Sequence, residues 1–405
     1  MKHIFSRLIN IVFLLFIFLQ PLRAQENKKN LSDSIQISLL TCSPGAEIYS
    51  LFGHTALRYE NFTQGIDIVF NYGLFSFNAP NFILRFALGE TDYQLGISNY
   101  KEFMAEYSYF ERSVWQQTLN LRQKEKEHLI QLLEENYRPE NRMYRYNFFY
   151  DNCATRPRDQ IEKAINGTLQ YADNMTSIDT GKSFRDIIHQ YTKRHEWAQF
   201  GIDFCIGSKA DKSITRREMM FAPFYVKDFL SSSYIIDKKG TKRPLILAER
   251  KILDFNKEER ESKALIITPI RASLLLFILI TSITIYGIKH KKIYWGIDLV
   301  LFLTAGLTGC ILCFLVLFSQ HPDVSPNYLL LLFHPLHLFL LPWIITALRR
   351  KQRNWYFILN SIVLTFFMLL WWAIPQRIDL AILPLALCLW VRTANGIILT
   401  TKKKK

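Results

Sequence analysis

The spacing of apolar and polar residues changes near Glu261, and it predicts a different architecture on each side of that point. Residues 35–40 and 54–59 alternate apolar and polar side chains, which is typical of β-strands. Residues 66–72 are a further β-rich run, and turn-forming residues before them predict a hairpin with the preceding strand. Residues 122–136 instead repeat leucines at helical spacing. We therefore predict that the first part of the chain folds as an α+β domain.

The second part of the chain consists of five apolar stretches separated by short polar segments. Each stretch has about twenty residues, which is enough for a helix to cross a hydrocarbon core of about 30 Å. We therefore predict an all-α bundle of about five transmembrane helices. The stretches run from Pro269 to Ile288, Trp295 to Ser319, Tyr328 to Leu348, Trp355 to Ile374 and Asp379 to Leu399.

The first two dozen residues have the pattern of an export signal. Lys2 and Arg7 precede an apolar run from Ile9 to Leu19, and Leu22-Arg23-Ala24 is a plausible cleavage site for a signal peptidase. An uncleaved signal anchor has the same charge pattern. In either case the residues that follow lie outside the cytoplasm.

The basic residues indicate how the apolar stretches are oriented. Lysines and arginines follow the first and third stretches and end the chain at 402–405, whereas residues 321–327, after the second stretch, contain none. Basic loops stay in the cytoplasm, so the folded domain and residues 321–327 lie on the opposite side. Much of the formal net charge of +15 lies in these clusters, where anionic lipid explains it. We therefore expect no nucleic-acid partner.

Together these patterns divide the chain into five segments. We expect a signal peptide at residues 1–24 and an extracytoplasmic catalytic domain at 25–235. A charged linker at 236–267 leads to the five-helix transmembrane domain at 268–400, and a basic cytoplasmic tail at 401–405 follows.

Cys153 is the strongest candidate for a reactive side chain. Asp151 or Asn152 can cap a helix whose first turn contains this cysteine, and Arg156 and Arg158 follow it. A helix start and nearby basic residues lower a thiol pKa and favour the nucleophilic thiolate. A buried structural cysteine is the alternative, but the polar flanks favour a nucleophile.

The other cysteines of the exported domain bear on the same choice. The exported domain has an odd number of cysteines, namely Cys42, Cys153 and Cys205, so at least one of them has no disulfide partner among the other two. Cys42 is the rival nucleophile, although its Pro-Gly neighbourhood indicates a turn rather than a helix start.

His54 opens the predicted strand at 54–59 and is a candidate general base. A histidine that only satisfies a core hydrogen bond is the alternative. A hairpin turn centred near Thr63 would place Tyr72 opposite His54, whereas a one-residue slip would bring Asn71 there. The register therefore decides which residue orients the imidazole.

Two other patterns do not indicate a cofactor or a metal. Gly181-Lys182-Ser183 lacks the earlier glycine of a phosphate loop. His334 and His337 lie one helical turn apart, but two ligands without partners favour packing over a metal site. We expect neither a metal nor a cofactor.

Three segments carry a resemblance to a known family: TCSPGAEIYSLFGHTALR at 41–58, FNYG at 70–73 and YNFFYDNCATRPRD at 146–159. They resemble the N-terminal periplasmic domain of the Lnb family of bacterial lipoprotein N-acyltransferases, and the likeness extends to MMFAP at 219–223. The family's signal, periplasmic domain and membrane helices also match the layout of this chain. The order of the histidine strand and the Asn-Cys helix start is similar to the circularly permuted, NlpC-type papain fold of lecithin:retinol acyltransferases.

The resemblance implies a reaction. Cys153 would be the nucleophile and His54 the base, while Asn71, Tyr72 and Glu47 are candidates for a third polar residue. An acyl chain would pass from phospholipid through a cysteine thioester to the N-terminal amine of a diacylglyceryl-cysteine lipoprotein, at the bacterial inner membrane.

Substrate contacts are expected from residues near these two side chains. They are Asn152, Arg156, Arg158 and Glu47, of which the arginines could bind lipid phosphate or form structural ion pairs. A membrane-tethered cysteine hydrolase, acting as phospholipase, thioesterase or cell-wall peptidase, is one alternative function. A non-catalytic scaffold that binds lipoproteins is another.

Overall fold

The computed structural model describes residues 34–172, 174–175, 178–255 and 266–401. The expected signal peptide and the residues 402–405 lie outside the described residues. The strands, in chain order, are β1 (Ile35–Cys42), β2 (His54–Asn61), β3 (Ile66–Leu74), β4 (Asp92–Asn99), β5 (Val114–Leu119), β6 (Met143–Arg145), β7 (Thr168–Gln170), β8 (Ile178–Ser183), β9 (Ser213–Thr215), β10 (Tyr234–Ile236), β11 (Lys242–Pro244) and β12 (Ile246–Leu253).

Seven of these strands form one antiparallel sheet in the order β12-β5-β1-β2-β3-β4-β6. The strands predicted at 35–40 and 54–59 are both present, and the second forms the predicted hairpin with β3. β11 and β12 lie inside the range 236–267 that was expected to be a linker, and β12 is an edge strand of the main sheet.

The register of the β2–β3 hairpin differs by one residue from the expected register, in which Tyr72 lies opposite His54. In the structure Ala56 pairs with Asn71, and the slip that would place Asn71 opposite His54 does not occur either. The reason is the turn, where the Asn61 side chain accepts hydrogen bonds from the backbone amides of residues 63 and 64. Because Ala56 is two residues beyond His54, Asn71 lies diagonally from His54 on the same face of the sheet.

Helices cover both faces of this sheet. One face packs against apolar side chains of three helices, such as Leu129, Ile161 and Val226, and the other face packs against Phe103 and Tyr107. The helices of this part are α1 (Phe82–Leu88), α2 (Tyr100–Tyr109), α3 (Gln123–Tyr137), α4 (Thr155–Ala164), α5 (Phe184–Thr192), α6 (Glu196–Cys205), α7 (Arg216–Met219) and α8 (Pro223–Ser231). The α+β prediction for this part of the chain is confirmed.

The remaining helices are apolar. They are α9 (Pro269–Lys289), α10 (Trp295–Phe318), α11 (Leu336–Phe339), α12 (Leu341–Arg350), α13 (Trp355–Leu369) and α14 (Ile382–Thr401). Within the described residues, α9, α10 and α14 are long and apolar enough to cross a membrane. A fourth span is present if the bent pair at Tyr328–Phe339 and Leu341–Arg350 is counted as one.

The described residues therefore contain three or four spans, whereas five were expected. The third stretch is not a continuous helix, because it bends by 73° between α11 and α12. Pro335 precedes α11 and Pro342 lies in the first turn of α12, and proline cannot continue a helical hydrogen-bond ladder. The fourth stretch ends after the 15 residues of α13, a rise of about 22 Å.

A buried ion pair joins three of the apolar helices. Arg392 of α14 donates to Asp298 of α10 at 2.8 and 2.5 Å and to the hydroxyl of Thr284 of α9 at 2.9 Å. Both charged side chains are almost fully buried. The apolar stretches gave no indication of this contact.

The sheet domain is docked on the loops between the apolar helices. The backbone amide of Gly207 donates to the carbonyl of Asp323 at 2.7 Å, and the amide of Ser208 donates to that of Pro326 at 2.8 Å. Asn327 donates to the carbonyl of Phe204 at 3.0 Å. The loop that follows the second apolar stretch therefore contacts the folded domain, as the distribution of basic residues predicts.

Candidate functional site

The structure brings Cys153 and His54 to the same end of the main sheet. His54 is the first residue of β2, and the Cys153 thiol lies near the backbone amide of Thr55, the next residue, which acts to lower the thiol pKa. Gly73 in β3 has a φ of 89°, and a Cβ atom there would lie 3.3 Å from the Cβ of Cys153. The thiol therefore lies against the ends of two adjacent strands, one of which carries the imidazole.

Asn71 holds the imidazole of His54. The Nε2 of His54 lies 3.3 Å from the Oδ1 of Asn71. The amide nitrogen of Asn71 donates to the hydroxyl of Ser98 at 3.1 Å and to the carbonyl of Val69 at 3.4 Å, which fixes the amide orientation. Because Oδ1 can only accept, His54 must donate from Nε2, and its Nδ1 is then free to take a proton.

Burial keeps His54 neutral in this site. The pKa of His54 is lowered to about 4, first by burial and then by the positive charge of Arg112, while the hydrogen bond with Asn71 acts in the opposite direction. At neutral pH the imidazole is therefore unprotonated and can act as a base.

The thiol is also neutral, contrary to the expected lowering of its pKa. Burial raises the pKa of Cys153 to about 11. The backbone amides of Thr55 and Cys153 and the charge of Arg112 act in the opposite direction, but their effect on the pKa is smaller. Helix α4 begins only at Thr155, and its first free amides donate to Asn152 rather than to the thiol. The expected effect of the helix start is therefore absent.

Arg156 and Arg158 are engaged elsewhere. Arg156 forms a two-point ion pair with Asp151 at 2.6 and 2.8 Å, and its guanidinium lies 3.5 Å from the ring centre of Tyr144. Arg158 is buried, pairs with Asp159 at 2.7 Å and donates to the carbonyl of Arg217. Both arginines make structural ion pairs, the alternative to phosphate binding.

Asn152 is a structural residue and not an open substrate contact. Its side chain is 3% exposed and donates to the carbonyls of Phe148 and Phe221 at 2.7 and 2.8 Å. Its Oδ1 accepts from the amides of Ala154 and Thr155, so all of its polar atoms have partners. These four bonds fix the backbone on both sides of Cys153.

Tyr72 and Glu47 do not meet the imidazole either. The hydroxyl of Tyr72 donates to the Oδ1 of Asn136 at 2.7 Å, and its ring lies in the core on the face opposite to Asn71. Glu47 is exposed and precedes a short 3-10 helix at Ile48–Ser50. Of the three candidates for a third polar residue, the structure places Asn71 beside His54.

Cys42 is less suited to be a nucleophile than Cys153. It lies opposite His54 in the pairing of β1 with β2, but its side chain is fully buried and packs in a core with Tyr107. Burial raises its pKa to about 12. Cys153, by contrast, is partly exposed.

Two further polar groups lie at this site, and the sequence did not single out the first of them, Arg112. Arg112 donates from Nε to the carbonyl of Ser43 at 2.8 Å, and its buried Nη2 has no partner among the described residues. The buried hydroxyl of Tyr144 also lacks a partner there, and it lies 3.9 Å from the Cβ position of Gly73. Arg112 precedes β5, so the pairing of β5 with β1 brings it here. No spacing in the sequence indicates that pairing.

Aromatic side chains surround the thiol. The rings of Tyr93 and Tyr146 stack at 4.0 Å, and a Cβ on Gly73 would lie 3.8 Å from Tyr146. Phe148 and Phe149 pack in a separate core with Phe221. The described residues contain no group of three or more His, Cys, Asp or Glu side chains placed to hold a metal ion.

Two family models match this chain and together span most of its length. Residues 23–195 match the Lnb N-terminal periplasmic domain, and residues 259–404 match the Lnb transmembrane domain. No curated protein and no solved structure is significantly similar to the chain. The two matches are in the order in which the sheet domain and the apolar helices occur here. The chain is thus a membrane protein with a periplasmic domain, and it belongs to the Lnb family.

Proposed function

We propose that this protein is a cysteine-dependent lipoprotein N-acyltransferase of the bacterial inner membrane. The observation that carries the proposal is the position of Cys153, which lies against Gly73 and near the amide that follows His54, at one end of the sheet. A thiol at the same end of the sheet as a neutral imidazole is suited to acyl transfer through a thioester. The family matches and the docking on apolar helices support a lipid substrate.

In the first half-reaction the acyl chain moves to the enzyme. Nδ1 of His54 takes the proton of Cys153 as sulfur attacks the ester carbonyl of a glycerophospholipid. The tetrahedral intermediate then expels the glycerol oxygen, which receives the proton from His54. The products are the Cys153 thioester and a lysophospholipid.

In the second half-reaction the acyl chain leaves the enzyme. The N-terminal amine of a diacylglyceryl-cysteine lipoprotein attacks the thioester, and His54 takes one amine proton and returns it to sulfur. The products are a triacylated lipoprotein and the free thiol. Both steps use side chains of this chain alone, and the proposal includes no cofactor.

Four other groups at the site have roles in these steps. The oxyanion of each tetrahedral intermediate needs donors, and the backbone amide of Cys153 and the hydroxyl of Tyr144 are close to the thiol. The Nη2 of Arg112 has no hydrogen-bond partner within the described part of the chain, and the positive charge of this guanidinium stabilises a thiolate. Asn71 orients the imidazole of His54.

The proposal extends to the architecture. A strand with the histidine before a helix start with the cysteine corresponds to the permuted papain-like order. The short helix α13, continued by the 3-10 turn Trp371–Ala373, and the bent pair would complete five membrane passes. The catalytic domain, expected at residues 25–235, would then also include β11 and β12 and end before the spans.

The test is mass spectrometry of the purified protein incubated with phospholipid and a synthetic diacyl lipopeptide. We expect an N-acylated peptide and, when the peptide is omitted, an acyl adduct on Cys153. Cys153→Ser should abolish transfer, whereas Cys42→Ser is the matched control and should retain it. Free fatty acid without amide would instead indicate the hydrolase, and full activity of Cys153→Ser would refute the proposed nucleophile.

A further inference from the structure

The periplasmic domain carries a group of exposed apolar side chains on and beside helix α1. Ile83 is 84% exposed, although a large aliphatic side chain is normally covered. Helix α1 contains no acidic residue and one basic residue, Arg85, which is paired with Asp92. We use the name apolar patch for Ile48, Tyr49, Phe77, Ile83, Leu84 and Phe86, all of them exposed.

The apolar patch lies at the end of a membrane-spanning helix. The backbone amide of Gln320, two residues after α10, donates to the carbonyl of Leu88 at 2.8 Å. The Nε2 of His321 donates to the carbonyl of Phe86 at 2.9 Å. Gly89 has a φ of 73°, and a Cβ atom there would lie 3.1 Å from the amide nitrogen of His321.

The surface of α10 next to this junction is also apolar. Leu317 and Phe318, in the last turn of α10, are both more than 60% exposed. Because α10 is long and apolar enough to span the membrane, these side chains face lipid. The exposed face of α1 therefore lies next to the end of a lipid-facing surface.

A row of aromatic rings leads from the apolar patch to the thiol. Neighbouring ring centres in the row are 6.1, 5.6, 4.9 and 4.0 Å apart, so no polar side chain interrupts it. Its last ring lies at Gly73, against which Cys153 packs. The rings, in order from the apolar patch, belong to Phe86, Phe82, Phe75, Tyr93 and Tyr146.

We propose that the apolar patch inserts into the periplasmic leaflet of the membrane that the spans cross, and that the aromatic row guides a phospholipid acyl chain to Cys153. A short apolar helix with a basic residue at the level of a span end is suited to the interfacial region of a bilayer. The second half of this inference rests on the proposed acyl transfer, whereas the insertion does not.

Photochemical cross-linking tests the insertion. One variant carries benzoylphenylalanine in place of Ile83, and the matched control carries it in place of Phe62. Both proteins are reconstituted in proteoliposomes of phosphatidylethanolamine and phosphatidylglycerol. Phe62 is 60% exposed but lies at the opposite end of β2 from His54, a strand of about 25 Å. We expect phospholipid adducts at position 83 to be at least tenfold more abundant than at position 62. Equal amounts at the two positions, or none at 83, would overturn the insertion.

Acyl transfer by the full-length protein tests whether the aromatic row guides the acyl chain to Cys153. Ile83→Asp should slow transfer from vesicle phospholipid at least tenfold, whereas Phe62→Asp should stay within twofold of the unsubstituted protein. With a dispersed short-chain phospholipid as donor, Ile83→Asp should be as fast as the unsubstituted protein. An equal loss with both donors would overturn the guidance. If the unsubstituted protein forms no amide with either donor, the proposed function fails, and the cross-linking result still decides the insertion.

Discussion

The reactivity of Cys153 toward iodoacetamide should depend on pH as that of a neutral thiol with a raised pKa does. With a pKa of about 11, roughly one molecule in a thousand carries the thiolate at pH 8, about 100-fold fewer than for a thiol with the ordinary value of 9.0. A more basic thiolate is intrinsically more reactive, by about tenfold for two pKa units. We therefore expect alkylation about tenfold slower than that of an unperturbed thiol. The rate should rise about tenfold per pH unit up to pH 10.

The assay follows carbamidomethylation of the Cys153 peptide by mass spectrometry, because five other cysteines are present. Short reaction times between pH 5 and 10 give the rate at each pH. His54, whose pKa is about 4, stays neutral over this range and supplies no positive charge. A plateau of the rate between pH 5 and 7 would show a thiolate–imidazolium pair in the resting protein. That result would refute the electrostatic reasoning given for this site.

Three further changes have expected outcomes. Arg112→Gln removes a charge that lowers the pKa of Cys153, so alkylation at pH 9 should slow by about threefold, and Arg112→Lys should restore the rate. Asn152→Ala leaves two carbonyls and two amides without partners and should lower the free energy of unfolding by about 3 kcal/mol in detergent, measured by denaturation. Arg392→Gln leaves Asp298 as an unpaired buried charge and should lower the free energy of unfolding by about 3 kcal/mol. Adding Asp298→Asn to this variant should recover part of the loss, and an unchanged stability of Arg392→Gln would contradict the reasoning.

The periodicity of side chains predicted local elements well, because alternation and helical spacing are local properties. The strands that contain Ile37 and His54, and the helix at Gln123–Tyr137, are all present. Register was less predictable, because one hydrogen-bonded turn at Asn61 moves every later pair by one residue. That shift is why Asn71, rather than Tyr72, lies on the same face of the sheet as His54.

The membrane part shows the same limit of local patterns. Hydropathy identified the apolar stretches, since it depends only on composition over a window. It did not indicate the bend at Pro342 or the early end of α13, because backbone geometry decides both. The pairing of Asp298 with Arg392 also depends on which helices become neighbours, which no single stretch contains.

The candidate site was also predictable only in part. Cys153 and His54 lie in distinctive local sequences and could be proposed as a pair. Arg112 and Tyr144 reach them only through the pairing of non-adjacent strands, and the order β12-β5-β1-β2-β3-β4-β6 is a property of the whole sheet. The basic residues next to Cys153 in sequence were misleading, because Arg156 is close to an aspartate with which it pairs.

The position of the site relative to the membrane is set by a buried arginine of the periplasmic domain. Arg185 is fully buried, pairs with Asp203 and Asp211 at 2.6 and 2.7 Å, and donates to the carbonyls of Ile206 and Gly207. The loop that it fixes is the one whose amides donate to the carbonyls of the loop after α10. A Cβ atom on Gly207 would lie 2.4 Å from the carbonyl oxygen of Pro326, so the two loops are in close contact. The position of Cys153 relative to the apolar helices therefore follows from packed contacts in the fold, and these contacts would hold the thiol at a fixed distance from a substrate of the proposed kind.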